Sequence, residues 1–199
     1  MNPRPALASV GLFCGSAPGA DPAFMRAATE FGRIVTRDGV RLVYGGGGIG
    51  LMGAAARTTV GAGGRVLGVI PQFLCLPEVV YEAAETRVVA SMHERKAVMF
   101  AESDGFAVLP GGVGTIEEII EILSWARLGL HAKPVVFLDL DGYWRPLFDL
   151  IEHTTDQGFT PRSFANAWKA VTTVEDVLPT LREVIADGPA VEMTPLSLT

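Results

Sequence analysis

Short apolar runs alternate with longer segments of helical period along the whole of this chain. The segments at 41–44 and 134–138 have four and five residues, of which only Arg41 is charged, and this is the length expected of a strand buried on both faces. Neighbouring parallel strands are joined by crossover connections, most often helices. The alternation therefore predicts an α/β fold of the Rossmann-like, three-layer type, with a central parallel sheet and helices on both faces.

The predicted elements cover most of the chain. Strands are expected at 8–14, 41–44, 65–70, 105–109, 134–138 and 170–172, with a further short strand at the end of the irregular segment 71–89. Helices are expected at 21–37, 50–62, 92–102, 114–129, 143–157 and 174–186. Asp21 is placed to cap the first helix, with Pro22 in its first position. Residues 1–199 are predicted to form one domain, with an ordered core at 8–186 and a loose tail at 188–199.

The chain carries a formal net charge of −6. This excess of acidic residues disfavours binding to DNA or RNA, although a few arginines and helix N-termini can still bind a small anion. No uninterrupted run of about 18 apolar residues is present, and the start lacks a signal-peptide pattern, so no membrane association is expected. Cys14 and Cys75 have no metal-ligand spacing. We therefore expect a cytoplasmic protein with free thiols and with neither a metal nor a cofactor.

Glycine is concentrated at three predicted strand ends, in 14–19, 44–53 and 110–118. Glycine permits positive φ and lets backbone N–H groups approach a ligand, so such turns can form a phosphate cradle at a helix N-terminus. None is a P-loop, because no Gly-Lys-Ser/Thr follows. The G-x-G-x-x-G match at 45–50 has no acidic residue about 20 positions on, which disfavours a dinucleotide site. The alternative is that these glycines only make tight strand–helix connections.

The helix predicted after 110–118 carries acidic residues that its apolar sequence does not explain. Glu117 and Glu118 lie near its start, where they complement the helix dipole. Glu118, Glu121 and Ser124 recur every third residue and so share one face. Two like charges on a largely buried helix are destabilising unless a ligand or a cation pairs with them. Glu118 is therefore a candidate functional residue, and Glu121 is an additional carboxylate.

Two basic residues open the preceding helix. Arg95 and Lys96 lie in its first turn, where positive charges oppose the dipole, so helix stability does not account for them. A guanidinium there could hold a phosphate or polarise a leaving group. The alternative is a pair of solvated basic side chains.

Three motifs together carry a resemblance to a known family. They are Pro-Gly-Gly-Val-Gly-Thr-Ile-Glu-Glu at 110–118, Gly-Gly-Gly-Ile-Gly-Leu-Met-Gly at 46–53 and Met-His-Glu-Arg-Lys at 92–96. The chain resembles the LOG ("lonely guy") family of cytokinin riboside 5′-monophosphate phosphoribohydrolases from about residue 9 to residue 186, including 124–134 and 141–144. The resemblance implies a Rossmann-like homodimer with its site near the subunit interface.

The resemblance also implies roles for individual residues. Arg95 and Glu118 are expected to be the catalytic pair. Other positions are expected to contact the nucleotide: Glu78, Lys96, Gly111, Gly112, Val113, Gly114, Thr115 and Ser124. The first two glycine-rich strand ends add candidate phosphate contacts at Ser16, Gly46, Gly47, Gly48 and Met52. The chain departs from the family at Ser124, where many members have Thr, and at Asp139, where many have Asn.

The expected reaction is hydrolysis of the N-glycosidic bond of a cytokinin riboside 5′-monophosphate, giving the free base and ribose 5-phosphate. Plain AMP and N6-modified AMP both stay open as substrates. A pyridoxal-phosphate lysine decarboxylase is disfavoured, because none of Lys96, Lys133 and Lys169 stands in a convincing cofactor setting. A nucleotide- or cofactor-carrier protein of the same fold is the main alternative. A carrier needs no Arg95–Glu118 pair, so that pair discriminates between the two.

Overall fold

The computed structural model describes residues 7–75 and 80–188. Seven strands form one parallel sheet in the order β4-β3-β2-β1-β5-β6-β7. They are β1 (Ser9–Phe13), β2 (Arg41–Tyr44), β3 (Val66–Pro71), β4 (Glu85–Val89), β5 (Gly105–Val108), β6 (Val135–Leu138) and β7 (Lys169–Val171). Six α-helices connect or follow them: α1 (Pro22–Arg37), α2 (Gly50–Gly61), α3 (Met92–Ala101), α4 (Val113–Arg127), α5 (Arg145–Asp156) and α6 (Val177–Asp187).

The helices cover both faces of the sheet. Buried residues of α1, α2 and α6 form one core with one set of strand side chains, such as Leu12 and Leu42. Residues of α3, α4 and α5 form a second core with the alternate set, such as Phe13 and Val43. Successive side chains of a strand point to opposite faces, so each strand contributes to both cores. The predicted three-layer α/β fold is confirmed.

The predicted elements agree with the structure, with shifts at their ends. Asp21 caps α1, because its carboxylate accepts a hydrogen bond from the Ala23 N–H at 2.7 Å, and Pro22 is the first helical residue. The expected helix at 143–157 begins only at Arg145, because a 3-10 turn precedes it, in which Asp141 has a φ of 50°. The expected helix at 174–186 is a 3-10 turn followed by α6.

The order of the strands locates the site. The chain builds β1 to β4 outward in one direction and then returns, so that β5 lies on the other side of β1. In open parallel sheets, ligands bind beyond the carboxyl ends of the strands at such a switch point. The ends of β1, β2 and β5 lead into the three glycine-rich segments, which therefore meet at this edge.

The limits of the described residues bear on two predictions. Residues 189–199 lie outside them, and with them nearly all of the predicted tail at 188–199. That residues 1–199 make a single domain with a core at 8–186 stays a prediction. Across 7–75 and 80–188, no helix is long and apolar enough to cross a membrane.

Candidate active site

A cavity of about 470 Å³ opens at the switch point between β1 and β5. It is formed by the ends of β1 and β2, the start of α3 and the turn into α4. Nine of the predicted site residues line it: Ser16, Gly47, Met52, Arg95, Gly112, Val113, Gly114, Thr115 and Glu118. Segments that lie far apart in sequence are thus brought to one place by the parallel sheet.

Arg95 is held in the wall of this cavity by three acceptors. Its Nη1 donates to Glu118 Oε1 at 2.5 Å, its Nε to the Val69 carbonyl at 3.2 Å and its Nη2 to the Gly45 carbonyl at 3.5 Å. The residue is only 8% exposed, as is Lys96. The alternative of two solvated basic side chains is therefore wrong. A buried guanidinium fixed in this way is preorganised to act on a ligand in the cavity.

Glu118 is the carboxylate partner of Arg95. It lies on α4, is buried, and faces the cavity. Burial raises the pKa of Glu118, and the positive charge of Arg95 opposes that rise only in part. A buried charge needs a partner, so Arg95 is the cation that the acidic face of α4 requires. The arrangement places a carboxylate whose ionised form is disfavoured by burial beside a space for a ligand.

A second group of charges joins the same two helices. Lys96 Nζ lies 2.5 Å from Glu117 Oε1 and 2.8 Å from Glu121 Oε2. Burial alone would lower the pKa of Lys96, but the two glutamates outweigh it and the pKa is raised. Lys96 and Glu121 lie outside the cavity wall, whereas Glu117 is part of it. The like charges of α4 are thus paired within the chain.

The three glycine-rich turns lead into helices whose N-termini differ. The carboxylate of Asp21 caps α1. At the start of α2, the Leu51 and Met52 N–H groups donate to the Gly15 carbonyl at 3.1 and 3.3 Å. Among these three helices of the described chain, only α4 begins without such a partner: Gly112 is its N-cap and offers no side-chain cap. Its first residues line the cavity, and the first N–H groups of a helix have no acceptor within the helix, so α4 is the best placed of the three to bind an anion.

Several predicted glycines have a packing reason instead. The Gly46 carbonyl accepts a hydrogen bond from the Tyr81 N–H at 3.3 Å, and a Cβ at Gly46 would lie 2.9 Å from Ile70 Cβ. The Gly48 carbonyl accepts from the Arg57 guanidinium. At Gly111, a Cβ would overlap the side chain of Thr115. These three glycines lie outside the cavity wall.

Ser124 is a further predicted contact that the fold does not bring to the cavity. Ser124 is six residues beyond Glu118 on α4, about 9 Å further along the helix axis, and is not part of the wall. Glu78 lies outside the described residues. Asp139, the second departure from the family pattern, accepts a hydrogen bond from the backbone N–H of Trp144 at 2.7 Å.

Sequence reasoning missed other residues of the wall. They are Cys14, Gly15, Gly45, Ile49, Ile70, Leu74 and Met92. The apolar members look like core residues in the sequence, and no local signal separates them from the core. Gly45 directly follows β2 in the glycine run and could have been included. Within 7–75 and 80–188, no group of three His, Cys, Asp or Glu side chains is placed to hold a metal ion.

Comparison with protein families and curated proteins gives consistent matches. A family model described as "Possible lysine decarboxylase" matches residues 52–181. A cytokinin riboside 5′-monophosphate phosphoribohydrolase of Rhodococcoides fascians is 47% identical over 158 residues, covering 78% of this chain and 80% of that protein. The Arabidopsis thaliana protein of the same name, LOG7, is 41% identical over 181 residues, covering 87% and 83%.

Solved structures of more distant proteins share the fold. The molybdenum cofactor carrier protein of Chlamydomonas reinhardtii superposes with a TM-score of 0.68 at 20% identity, covering 92% of this chain and all of that one. The molybdenum cofactor binding protein of Rippkaea orientalis gives 0.68 at 21% identity, covering 90% and 98%. At such identities the likeness is one of architecture.

Proposed function

The chain belongs to the LOG family of cytokinin riboside 5′-monophosphate phosphoribohydrolases, and from this membership we propose that it hydrolyses the N-glycosidic bond of such nucleotides. The products are the free base and ribose 5-phosphate. The observation that carries the proposal is the buried Arg95–Glu118 pair, which shares a cavity with the open N-terminus of α4. A negative charge and an anion-binding helix end in one cavity suit a substrate with a phosphate and a cleavable glycosidic bond.

The 5′-phosphate is assigned to the start of α4. Gly112, Val113 and Gly114 line the cavity, and the helix dipole favours negative charge at this end of α4. Glu118 is six residues beyond the N-cap, about 9 Å along the helix axis. A ribose 5-phosphate that starts at the N-terminus therefore extends its anomeric carbon toward the Glu118 carboxylate.

Glu118 and Arg95 are assigned complementary roles. Cleavage of a glycosidic bond passes through an oxocarbenium-like state, in which positive charge develops at the anomeric carbon. The Glu118 carboxylate stabilises that charge or forms a transient covalent adduct. Arg95 stabilises the negative charge that develops on the departing base and holds Glu118 in place. The helix end binds the phosphate and converts binding energy into orientation.

The base is assigned to the apolar part of the wall. Besides Val113 at the start of α4, the apolar side chains of the wall are Ile49, Met52, Ile70, Leu74 and Met92. A hydrophobic wall favours an apolar substituent on N6 of adenine by the area that it removes from water. We therefore place N6-modified AMP first among the substrates and keep AMP as a second one, because a smaller base fits the same space.

Different observations disfavour the two alternative functions, a pyridoxal-phosphate enzyme and a carrier protein. A Schiff-base enzyme needs a lysine in the cavity, and none of the three lysines, all of them described, lines it. Lys96 is paired with two glutamates, and Lys133 Nζ donates to the Phe100 carbonyl at 2.6 Å. The carrier alternative is not favoured, because the molybdenum cofactor carrier and binding proteins share only the fold at 20–21% identity, whereas relatives that are 41% and 47% identical are named as phosphoribohydrolases.

We also propose a homodimer in the cytoplasm. The α4 helix buries one side within its own chain and leaves Ile116, Ile120 and Trp125 only half-buried. A helix that is apolar around most of its surface must be covered on more than one side.

The cysteines support the proposed compartment. Cys14 and Cys75 are both free thiols, which is typical of proteins in a reducing compartment.

The direct test is product analysis. Purified protein is incubated with isopentenyl-AMP, AMP and the matching nucleosides, and free bases are separated by chromatography. We expect release of base from the monophosphates with no metal or cofactor added, and far lower kcat/KM for the nucleosides. Tight binding of the monophosphates without base release would favour the carrier function. Equal kcat/KM for nucleoside and monophosphate would remove the phosphate site from the mechanism.

The pH dependence of kcat/KM tests the role of Glu118. Only the ionised carboxylate stabilises the positive charge of the transition state, and burial raises the pKa of Glu118. The acid limb of kcat/KM should therefore lie above the ordinary glutamate pKa of about 4.3. The charge of Lys96 lowers the pKa of Glu118 and the charge of Glu117 raises it. Lys96→Met should therefore move the acid limb to higher pH, and Glu117→Gln should move it to lower pH.

All three proteins are measured with one substrate, so the ionisation of the substrate phosphate, with its second pKa of about 6, is common to them. Shifts of opposite sign identify Glu118 as the titrating group. Acid limbs that coincide in all three pH profiles, or that move in the same direction in both variants, contradict that assignment.

A further inference from the structure

The turn between β6 and α5 contacts the anion-binding loop from outside the cavity. Tyr143 Oη donates a hydrogen bond to the Gly111 carbonyl at 2.7 Å, across 32 positions of the chain. Gly111 is the residue before the N-cap of α4. Tyr143 is not part of the cavity wall, so it touches the loop without facing the space assigned to substrate.

We propose that Tyr143 is a positioning residue for the phosphate, since its hydroxyl fixes the orientation of the peptide between Gly111 and Gly112. The C=O of Gly111 and the N–H of Gly112 belong to one planar trans peptide and point in opposite directions. A phenol that holds the carbonyl on the outer side therefore turns the Gly112 N–H inward. Within the described residues, no backbone carbonyl accepts from that N–H, and Gly112 lies at the cavity.

The loop needs such a restraint because its own residues are glycines. The Gly15 N–H donates to the Pro110 carbonyl at 3.0 Å, which anchors the loop one residue before Gly111. Beyond that point, Gly111 and Gly112 have no side chain to hold them, and glycine peptides rotate more freely than any others. The Tyr143 hydrogen bond lies at the first peptide that could rotate.

Tyr143 is 37% exposed, and two aromatic contacts position its ring. Its ring makes an edge contact with Phe24 on α1, at 5.2 Å between centroids, and another with Trp144, at 5.0 Å. Trp144 is buried, and its backbone N–H donates to Asp139 Oδ1. Asp141 has a φ of 50°, and Gly142 follows with 75°. A non-glycine residue in that region carries strain, and here the strained turn directs the phenol toward the loop.

The inference rests on the proposed function for the identity of the anion, a terminal phosphomonoester. Tyr143→Phe removes the hydroxyl and keeps the ring contacts. Losing one hydrogen bond of about 1 kcal/mol weakens binding about fivefold. We expect the Kd for ribose 5-phosphate, measured by calorimetry, and the KM for the monophosphate to rise about 3- to 10-fold, while kcat changes little.

Tyr81→Phe is the matched control. It removes the same atom from a tyrosine whose hydroxyl makes no hydrogen bond within the described residues, and it should leave the Kd and Tm unchanged. An unchanged Kd in Tyr143→Phe, or a rise explained by lost Tm and shared by Tyr81→Phe, overturns the proposal. So does a wild-type protein that does not bind ribose 5-phosphate.

The binding assay needs no turnover, so the two proposals fail separately. Wild-type protein that binds ribose 5-phosphate but releases no base refutes the hydrolase and leaves the Tyr143 result valid. Wild-type protein that releases base, with a Tyr143→Phe variant of unchanged Kd, refutes only the role of Tyr143.

Discussion

Glu118→Gln is expected to lower kcat by about 100- to 1000-fold, the usual cost of losing one group that stabilises charge in a transition state. Glutamine is nearly isosteric, so packing around Ile119 changes little. Its amide oxygen can still accept from Arg95, which also keeps the Val69 and Gly45 carbonyls as partners. The fold and the binding of phosphate should therefore survive, as circular dichroism and ribose 5-phosphate binding would show.

Glu117→Gln is the matched comparison for that variant. Glu117 is the adjacent residue, so its side chain leaves the helix about 100° away from that of Glu118, and it pairs with Lys96 instead of Arg95. We expect it to keep most of its kcat near neutral pH. Arg95→Ala should be about as inactive as Glu118→Gln. If Glu117→Gln were the inactive variant and Glu118→Gln the active one, the assignment of the catalytic carboxylate would be wrong.

The fold could be predicted from the sequence because its main signal is local. The strand Arg41–Tyr44 was expected with the bounds that it has, and so was the first residue of α2 and of α3. Apolar runs predict the inner strands as buried on both faces, and the helices follow from their period. Helix ends that depend on a contact with another part of the chain differ from their predicted positions. The start of α5 is the example, since it follows a strained turn held by the Asp139–Trp144 contact.

The charged pair could be anticipated only in part. Like charges on an apolar helix indicated that Glu118 needs a cation, and the resemblance to the LOG family named Arg95. The contacts of Lys96 with Glu117 and Glu121 were not anticipated. They depend on how α3 and α4 are rotated against each other on the sheet, which spacing along either helix does not contain.

The glycines show a similar limit. Three glycine-rich turns indicated three cradles, and the start of α2 is satisfied by the Gly15 carbonyl. Whether the first N–H groups of a helix are free depends on which carbonyl lies opposite them in the fold. Glycine composition indicates where backbone comes close to something, and it does not say whether that neighbour is a ligand or another segment of the chain.

Gly45 lies close to another segment of the chain, the Arg95 side chain. Gly45→Ala should lower kcat/KM by about 100-fold, the cost of misplacing a catalytic group by about 1 Å. A Cβ at this position would overlap Nη2 of Arg95 and lie 3.1 Å from Met52 Sδ. The φ of Gly45 is not positive, so alanine fits the backbone there. The atom in the way is the end of a long side chain, so the guanidinium moves and the fold remains.

Gly61→Ala is the control, because a Cβ there meets nothing within 4 Å and alanine is a better helix former than glycine. It should keep full activity with an equal or higher Tm. The decisive measurement is a double-mutant cycle with Arg95→Ala. If Gly45→Ala acts only by displacing Arg95, adding it to Arg95→Ala costs nothing further, since two changes that remove one function are not additive. An additive loss would mean that Gly45 contacts the substrate itself, and a fully active Gly45→Ala protein would mean that the observed position of Arg95 is not needed for turnover.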